Sequence, residues 1–192
     1  MSELPLIAVT DSASCPRPLA EQIERLTKLT ELRPQAVILR AKSLDKAAYR
    51  TLALQAQQSC EAAGIALILH SDWQLARELG ISMLHLPLAL LRQISEYERA
   101  YFTWLSTSVH SVGEAQEAQA LGATVLIAGH IYTTQCKAGL APRGLSFLQA
   151  VCSTVSLPVY AIGGIGFDAA QHAELQANGA RGACVMSAYM RL

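Results

Sequence analysis

Four of the five histidines in this 192-residue chain, His70, His85, His110 and His130, stand at or within two residues of the end of a short apolar run. An imidazole with an ordinary pKa of about 6.5 can give or take a proton near neutral pH, so such histidines suit proton transfer. Other residues in the same kind of position suit anions. Arg40 ends the run Ala36–Arg40, and Lys42 stands two residues on. Strand alternation places them on one side, where two cations are costly unless they meet an anion. Gly163-Gly164 follows Val159–Ile162, and Met186-Ser187 closes the run that starts at Ala183. Glycine amides and helix N-termini of this kind can cradle a phosphate.

Several neighbours read more simply. Asp11 reads as a turn or cap, and Asp72, Ser111 and Asp168 as helix N-caps. His85 is as well explained by a structural role as by a functional one. Ser108 shares a face with His110, and its hydroxyl could hold a phosphate or a carboxylate. The polar stretch Ile131–Gly144, with Thr134, Cys136, Lys137 and Arg143, is long for so short a chain and reads as an active-site loop. Nothing around Cys136 marks its thiol as activated. Gly129 is expected to leave room for a substrate above His130.

These residues need a frame that gathers strand ends. Eight short, nearly continuous apolar runs supply it: Leu6–Thr10, Ala36–Arg40, Ile65–His70, Met83–Leu86, Phe102–Val109, Thr124–Ala128, Val159–Ile162 and Ala183–Met186. Runs of this kind suit strands of a parallel sheet buried on both faces. Amphipathic stretches lie between them at Pro18–Leu32, Leu44–Ala63, Asp72–Leu79, Leu88–Tyr97, Val112–Leu121, Leu145–Val155 and Asp168–Asn178. Gly64, Gly80, Gly122 and Gly179 follow helical patterns, where a left-handed cap is useful. The pattern predicts an α/β fold, a small (β/α)8 TIM barrel, with an open doubly wound sheet as the second reading. Only Ser187–Leu192 follow the last strand, so the eighth helix is expected to be truncated or missing. In such barrels chemistry gathers at the C-terminal strand ends.

Composition narrows the function further. Fifteen Lys+Arg balance fifteen Asp+Glu, which argues against a nucleic-acid or membrane-surface partner. With 52% hydrophobic and 16% charged residues, one domain spanning 1–192 is expected, with apolar surface left over for a homo-oligomer, a dimer in the simplest case. The N-terminus lacks the pattern of a signal peptide, and no apolar run is long enough to span a bilayer. Five cysteines without a CxxC pair give no disulfide framework or zinc site, so a reduced cytoplasmic protein is expected.

Three segments resemble the thiamine phosphate synthase/TenI family of small barrels: Ser108-Val109-His110-Ser111, Gly129-His130-Ile131-Tyr132-Thr133-Thr134-Gln135-Cys136-Lys137-Ala138-Gly139, and Val159-Tyr160-Ala161-Ile162-Gly163-Gly164-Ile165. Arg40 and Lys42 fit the same resemblance, which spans about Leu6 to Tyr189. It implies a phosphorylated thiazole as ligand. The synthase branch couples a pyrimidine pyrophosphate to thiazole phosphate with magnesium. The TenI branch contains thiazole tautomerases, which aromatise a thiazole carboxylate phosphate by moving a proton. The synthase has an Asn-Asp pair where this chain has His70-Ser71, and an acid within the stretch that here reads His85-Leu86-Pro87-Leu88-Ala89-Leu90. His130 stands where the synthase has proline and the tautomerase has histidine.

The resemblance therefore implies a tautomerase with His130 as acid/base and His70 as a second shuttle. Arg40, Lys42, Ser108, Thr134 and Lys137 would bind substrate, and Gly163, Gly164, Met186 and Ser187 would hold phosphate. No cofactor or metal is expected on this reading. Magnesium enters only with the synthase reading, and a third reading is a regulatory protein that binds thiazole phosphate or thiamine phosphate without turnover.

Overall fold

A computed structural model describes residues 4–137 and 139–192; Met1–Glu3 and Ala138, quoted in the N-terminal and loop readings, lie outside the described residues. Eight strands pair in parallel and in sequence order: β1 (Leu6–Val9), β2 (Ala36–Leu39), β3 (Ala66–His70), β4 (Met83–Pro87), β5 (Trp104–Val109), β6 (Val125–Gly129), β7 (Val159–Ile162) and β8 (Gly182–Val185). The barrel closes where Ile7 of β1 pairs with Cys184 of β8. The (β/α)8 expectation holds, because most of the strands are apolar on both faces. One side meets the outer helices. Alternate residues, among them Ile7, Val9, Ile38, Ile68, Ile127, Tyr160 and Cys184, fill the barrel interior. At its N-terminal end the Trp104 and Tyr160 rings meet edge to face at 5.6 Å.

The helices are α1 (Leu19–Thr27), α2 (Lys46–Ala63), α3 (Trp73–Glu78), α4 (Leu88–Leu91), α5 (Glu96–Arg99), α6 (Val112–Ala120), α7 (Gly144–Thr154), α8 (Ala169–Ala177) and α9 (Ser187–Arg191). Asp72, Ser111 and Asp168 cap α3, α6 and α8 through their side chains, as expected. The stretch Leu88–Tyr97 is not one helix. Ser95 and Glu98 form a reciprocal capping box that starts α5 afresh, and Ile94 between the two helices is buried. The first helix ends at Thr27, well short of Leu32.

The helix after β8, α9, spans the five residues Ser187–Arg191, and single side chains anchor it. Tyr189 is fully buried, its hydroxyl donates to the Leu32 carbonyl at 2.8 Å, and its ring meets Phe167 at 4.9 Å. Gln22 of α1 donates to the Tyr189 carbonyl at 2.5 Å. Tyr189→Ala is expected to destabilise the fold by about 3–5 kcal/mol, in the range of other buried aromatic truncations. Tyr189→Phe, which removes one hydrogen bond, is expected to cost about 1 kcal/mol. Urea denaturation of the two variants measures both.

Candidate active site

The C-terminal strand ends surround a cavity of about 760 Å³. Its wall contains four histidines (His70, His85, His110, His130), four cations (Arg40, Lys42, Lys137, Arg191) and no aspartate or glutamate among the described residues. Every site residue named from the sequence borders it: Ser108, Thr134, Gly163, Gly164, Met186 and Ser187 join the cations and histidines. Arg191 was missed. It lies four residues after Ser187, so helical spacing puts it on the same face of α9.

His70 is set by its backbone and by α2. Its amide donates to the Tyr49 hydroxyl at 3.1 Å, and that hydroxyl donates to the Leu39 carbonyl at 2.8 Å. Its Nδ1 lies 2.7 Å from the Ser71 hydroxyl. Burial, reinforced by the positive charges of Arg40 and Lys42, pushes its imidazole down to about 4. His85 is paired in register with His70, their rings 5.3 Å apart. Burial pushes it down to about 3, helped by His70. Both imidazoles are neutral at pH 7.

Two strand-end expectations need correction. Strand β2 ends at Leu39, so Arg40 lies beyond it, its backbone exchanging hydrogen bonds with the Thr10 hydroxyl. Its guanidinium is paired with Asp11, which is therefore a salt-bridge partner and not a bare turn residue. Burial opposes ionisation of Asp11, but the Ser14 hydroxyl and Arg40 together hold its carboxyl below the usual range. Among the described residues Lys42, Lys137 and Arg191 form no ion pair, so these three are the cations left for a ligand. The second correction concerns Gly129. A Cβ there would stand 2.4 Å from the Ile162 side chain, so the room the glycine makes on that side is taken by β7, while Gly129 itself borders the cavity.

His130 borders the cavity but is not open at its mouth. It is 4% exposed, lying beneath the segment that follows it. Nε2 is 3.4 Å from the Leu140 carbonyl, and Nδ1 is buried without a partner among the described residues. With Nε2–H directed at a carbonyl, which only accepts, the neutral ring keeps its lone pair on Nδ1. The Gly129 carbonyl before it takes two donors, His110 Nδ1–H at 2.6 Å and Arg143 Nε at 3.1 Å.

The glycine turn after β7 is packed directly on this segment. Gly163 (φ +103°) and Gly164 (φ +69°) have the left-handed backbone that disfavours side chains. A Cβ on Gly163 would lie 2.3 Å from His130 Cβ, and one on Gly164 2.5 Å from the Thr133 carbonyl. The Tyr132 amide donates to the Gly163 carbonyl at 2.9 Å. Gln171 and His172 of α8 hold the turn from behind, through Gly164 and Gly166. Thr134 accepts from the Cys136 amide, and Cys136 Sγ lies 3.8 Å from the Ser187 hydroxyl, so this loop reaches α9 across the cavity.

The magnesium of the synthase branch does not fit these residues. It takes oxygen ligands, usually one or two carboxylates with substrate phosphates. No carboxylate among the described residues borders the cavity, Asp11 is held by Arg40, and Asp72 Oδ1 accepts from the Leu75 amide at 2.9 Å to cap α3. No cluster of three His, Cys, Asp or Glu suited to a metal occurs among the described residues.

The fold defines a small (β/α)8 barrel with a glycine turn after its seventh strand. The sequence model of thiamine monophosphate synthase matches residues 6–189, and the chain belongs to that family. It is 36% identical over 157 residues to a thiamine-phosphate synthase of Listeria monocytogenes, covering 79% of this chain and 72% of that protein. It is 38% identical over 157 residues to the one from Herpetosiphon aurantiacus, covering 79% and 73%. The solved thiamine phosphate pyrophosphorylase from Pyrococcus furiosus superposes with a TM-score of 0.79 over 98% of this chain and 88% of that one; at 24% identity this supports the fold alone. No helix among the described residues is long and apolar enough to cross a membrane.

Two outcomes follow from the site. The folded pKa values of His70 and His85 lie below the unfolded value of about 6.5. The unfolded chain therefore binds more protons in that window, so their contribution is complete above about pH 6.5 and is lost on acidification. Thermal midpoints are expected to fall from pH 6.5 to 4, less steeply in His85→Asn. Gly163→Ala is expected to cost about 1–3 kcal/mol through its backbone conformation and to displace the His130 segment packed against it. Gly113→Ala, at an ordinary helical position, is expected to leave stability and the His130 ring unchanged, as melting curves and histidine NMR can check.

Proposed function

We propose that this chain isomerises a phosphorylated thiazole carboxylate by proton transfer, as a thiazole tautomerase. The observation that supports this reading is the cavity wall: histidines and unpaired cations, with no carboxylate among the described residues. Such a wall can hold an anionic ring and move protons, and it offers nothing to hold magnesium.

The phosphate is received by the Gly163-Gly164 turn and by Met186 and Ser187 at the start of α9. Lys137 and Arg191 supply positive charge, and Thr134 a hydroxyl. Lys42 receives the carboxylate, with Arg40 contributing less because Asp11 already neutralises it. The base takes the proton from C2 of the dihydrothiazole, electrons shift through the ring, and a proton is delivered to the exocyclic carbon. The sum is an isomerisation with no oxidant or leaving group. His130 Nδ1, whose lone pair has no partner among the described residues, is the acid/base group. His70, neutral at pH 7, is the second shuttle.

The second reading is a thiamine phosphate synthase, and one specific observation favours it: the curated relatives quoted above carry that name. The two readings part on metal and on histidine. His130→Asn is expected to lower kcat for the tautomer by about 10²–10⁴-fold with thiazole phosphate binding and Tm little changed. Wild-type turnover is expected to survive a chelator. Loss of activity on chelation, restored by magnesium and accompanied by coupling to a pyrimidine pyrophosphate, would establish the synthase reading instead.

A further inference from the structure

The proton transfer proposed above makes no use of His85, yet its ring is the most completely hydrogen-bonded in the cavity wall. It is 5% exposed. Nδ1 lies 3.0 Å from the Ser106 hydroxyl, and Nε2 lies 3.0 Å from the Ser108 hydroxyl. Ser106 is fully buried, and its hydroxyl also reaches the Leu84 carbonyl at 3.3 Å.

Proton counting leaves one arrangement that satisfies every contact. A carbonyl only accepts, and a serine hydroxyl has one proton. Ser106 therefore donates to Leu84 and must accept from His85 Nδ1–H. The neutral ring then carries its lone pair on Nε2, which accepts from Ser108. The opposite tautomer would turn the Ser106 proton towards Nδ1 and forfeit the bond to Leu84. It would also leave a buried hydroxyl less well satisfied, at a cost that buried polar groups rarely bear. The depth of burial keeps the ring neutral, so the doubly protonated alternative does not compete.

We infer that the chain Leu84–Ser106–His85–Ser108 fixes the direction of the Ser108 hydroxyl, turning its proton to His85 and its lone pairs to the cavity. Ser108 is half-buried and borders the cavity on one side of His85. It thus presents an acceptor to a ligand. That reverses the sequence expectation that it donates to a phosphate or a carboxylate. An ionised phosphate or carboxylate set against it would meet lone pairs, whereas an N–H or O–H would form a hydrogen bond. What stands over Ser108 is therefore a donor, either an N–H or O–H of a ligand or a water that the ligand holds there, and the anionic groups lie towards Lys42 and the Gly163-Gly164 turn. His85 is a positioning residue in this account, acting through Ser108. The inference rests on the reading of this cavity as the site for a phosphorylated thiazole.

Two measurements test it. Nitrogen NMR of the full chain labelled at histidine reads the tautomer directly: His85 is expected to be Nδ1–H with an unprotonated Nε2 from pH 5 to 8. An Nε2–H tautomer, or an imidazolium in that range, overturns the inference without any ligand. The second uses two probes, a thiazole phosphate carrying a ring carboxamide and the corresponding methyl ester, which has no donor. Ser108→Ala is expected to weaken the carboxamide by about 3- to 10-fold and to leave the ester unchanged, with the Tm of the variant confirming the fold. Equal losses for both probes would overturn the inference while leaving the cavity reading standing. Failure of wild type to bind either probe would overturn both.

Discussion

The contact that the rest of this site depends on is the approach of the turn after β7 to the segment after β6. Gly163 and Gly164 let the backbone of one pass against His130–Thr133 of the other, at distances no side chain would permit. Two backbone hydrogen bonds, Ile131 to Ile162 and Tyr132 to Gly163, both 2.9 Å, hold the pair together. The turn proposed to receive phosphate and the histidine proposed to move the proton are thus one packed unit. The bound anion and the acid/base group cannot drift apart, which is the positioning that proton transfer needs.

Around that unit the protein arranges charge by subtraction. Asp11 removes Arg40 from the pool of free cations, and Asp72 is spent on capping α3. What remains facing the cavity is positive or neutral. Buried His70 and His85 stay uncharged beside Arg40 and Lys42, which avoids adding two more positive charges to the same wall. The result is a cavity wall that carries positive charge and, among the described residues, none of the acids that a divalent cation requires.

The barrel was legible in the sequence because strands buried on both faces leave continuous apolar runs, and their ends fell within two residues of the runs from Leu6 to Met186. The cavity residues were legible for the same reason: a strand end names its own position. Contacts between strands were harder. Arg40 and Asp11 stand 29 positions apart, and only the stagger of β1 against β2 brings them together. Gly129 was misjudged because the side chain it admits, Ile162, belongs to a different strand. The cover over His130 depends on how the loop folds back to place the Leu140 carbonyl, which no local pattern encodes. Ser106 and Ser108 alternate along β5, but nothing in the sequence pairs them with His85, and their hydrogen-bond order required the geometry.

The central claim is that protons, and not a pyrimidine group, are what this cavity transfers. The most direct measurement is to incubate the protein in heavy water with the thiazole carboxylate phosphate tautomer and follow the ring by NMR. The account predicts deuterium at the exocyclic carbon, appearing together with aromatisation at a rate set by protein concentration. A tautomer that aromatises no faster with the protein than without it would contradict the account.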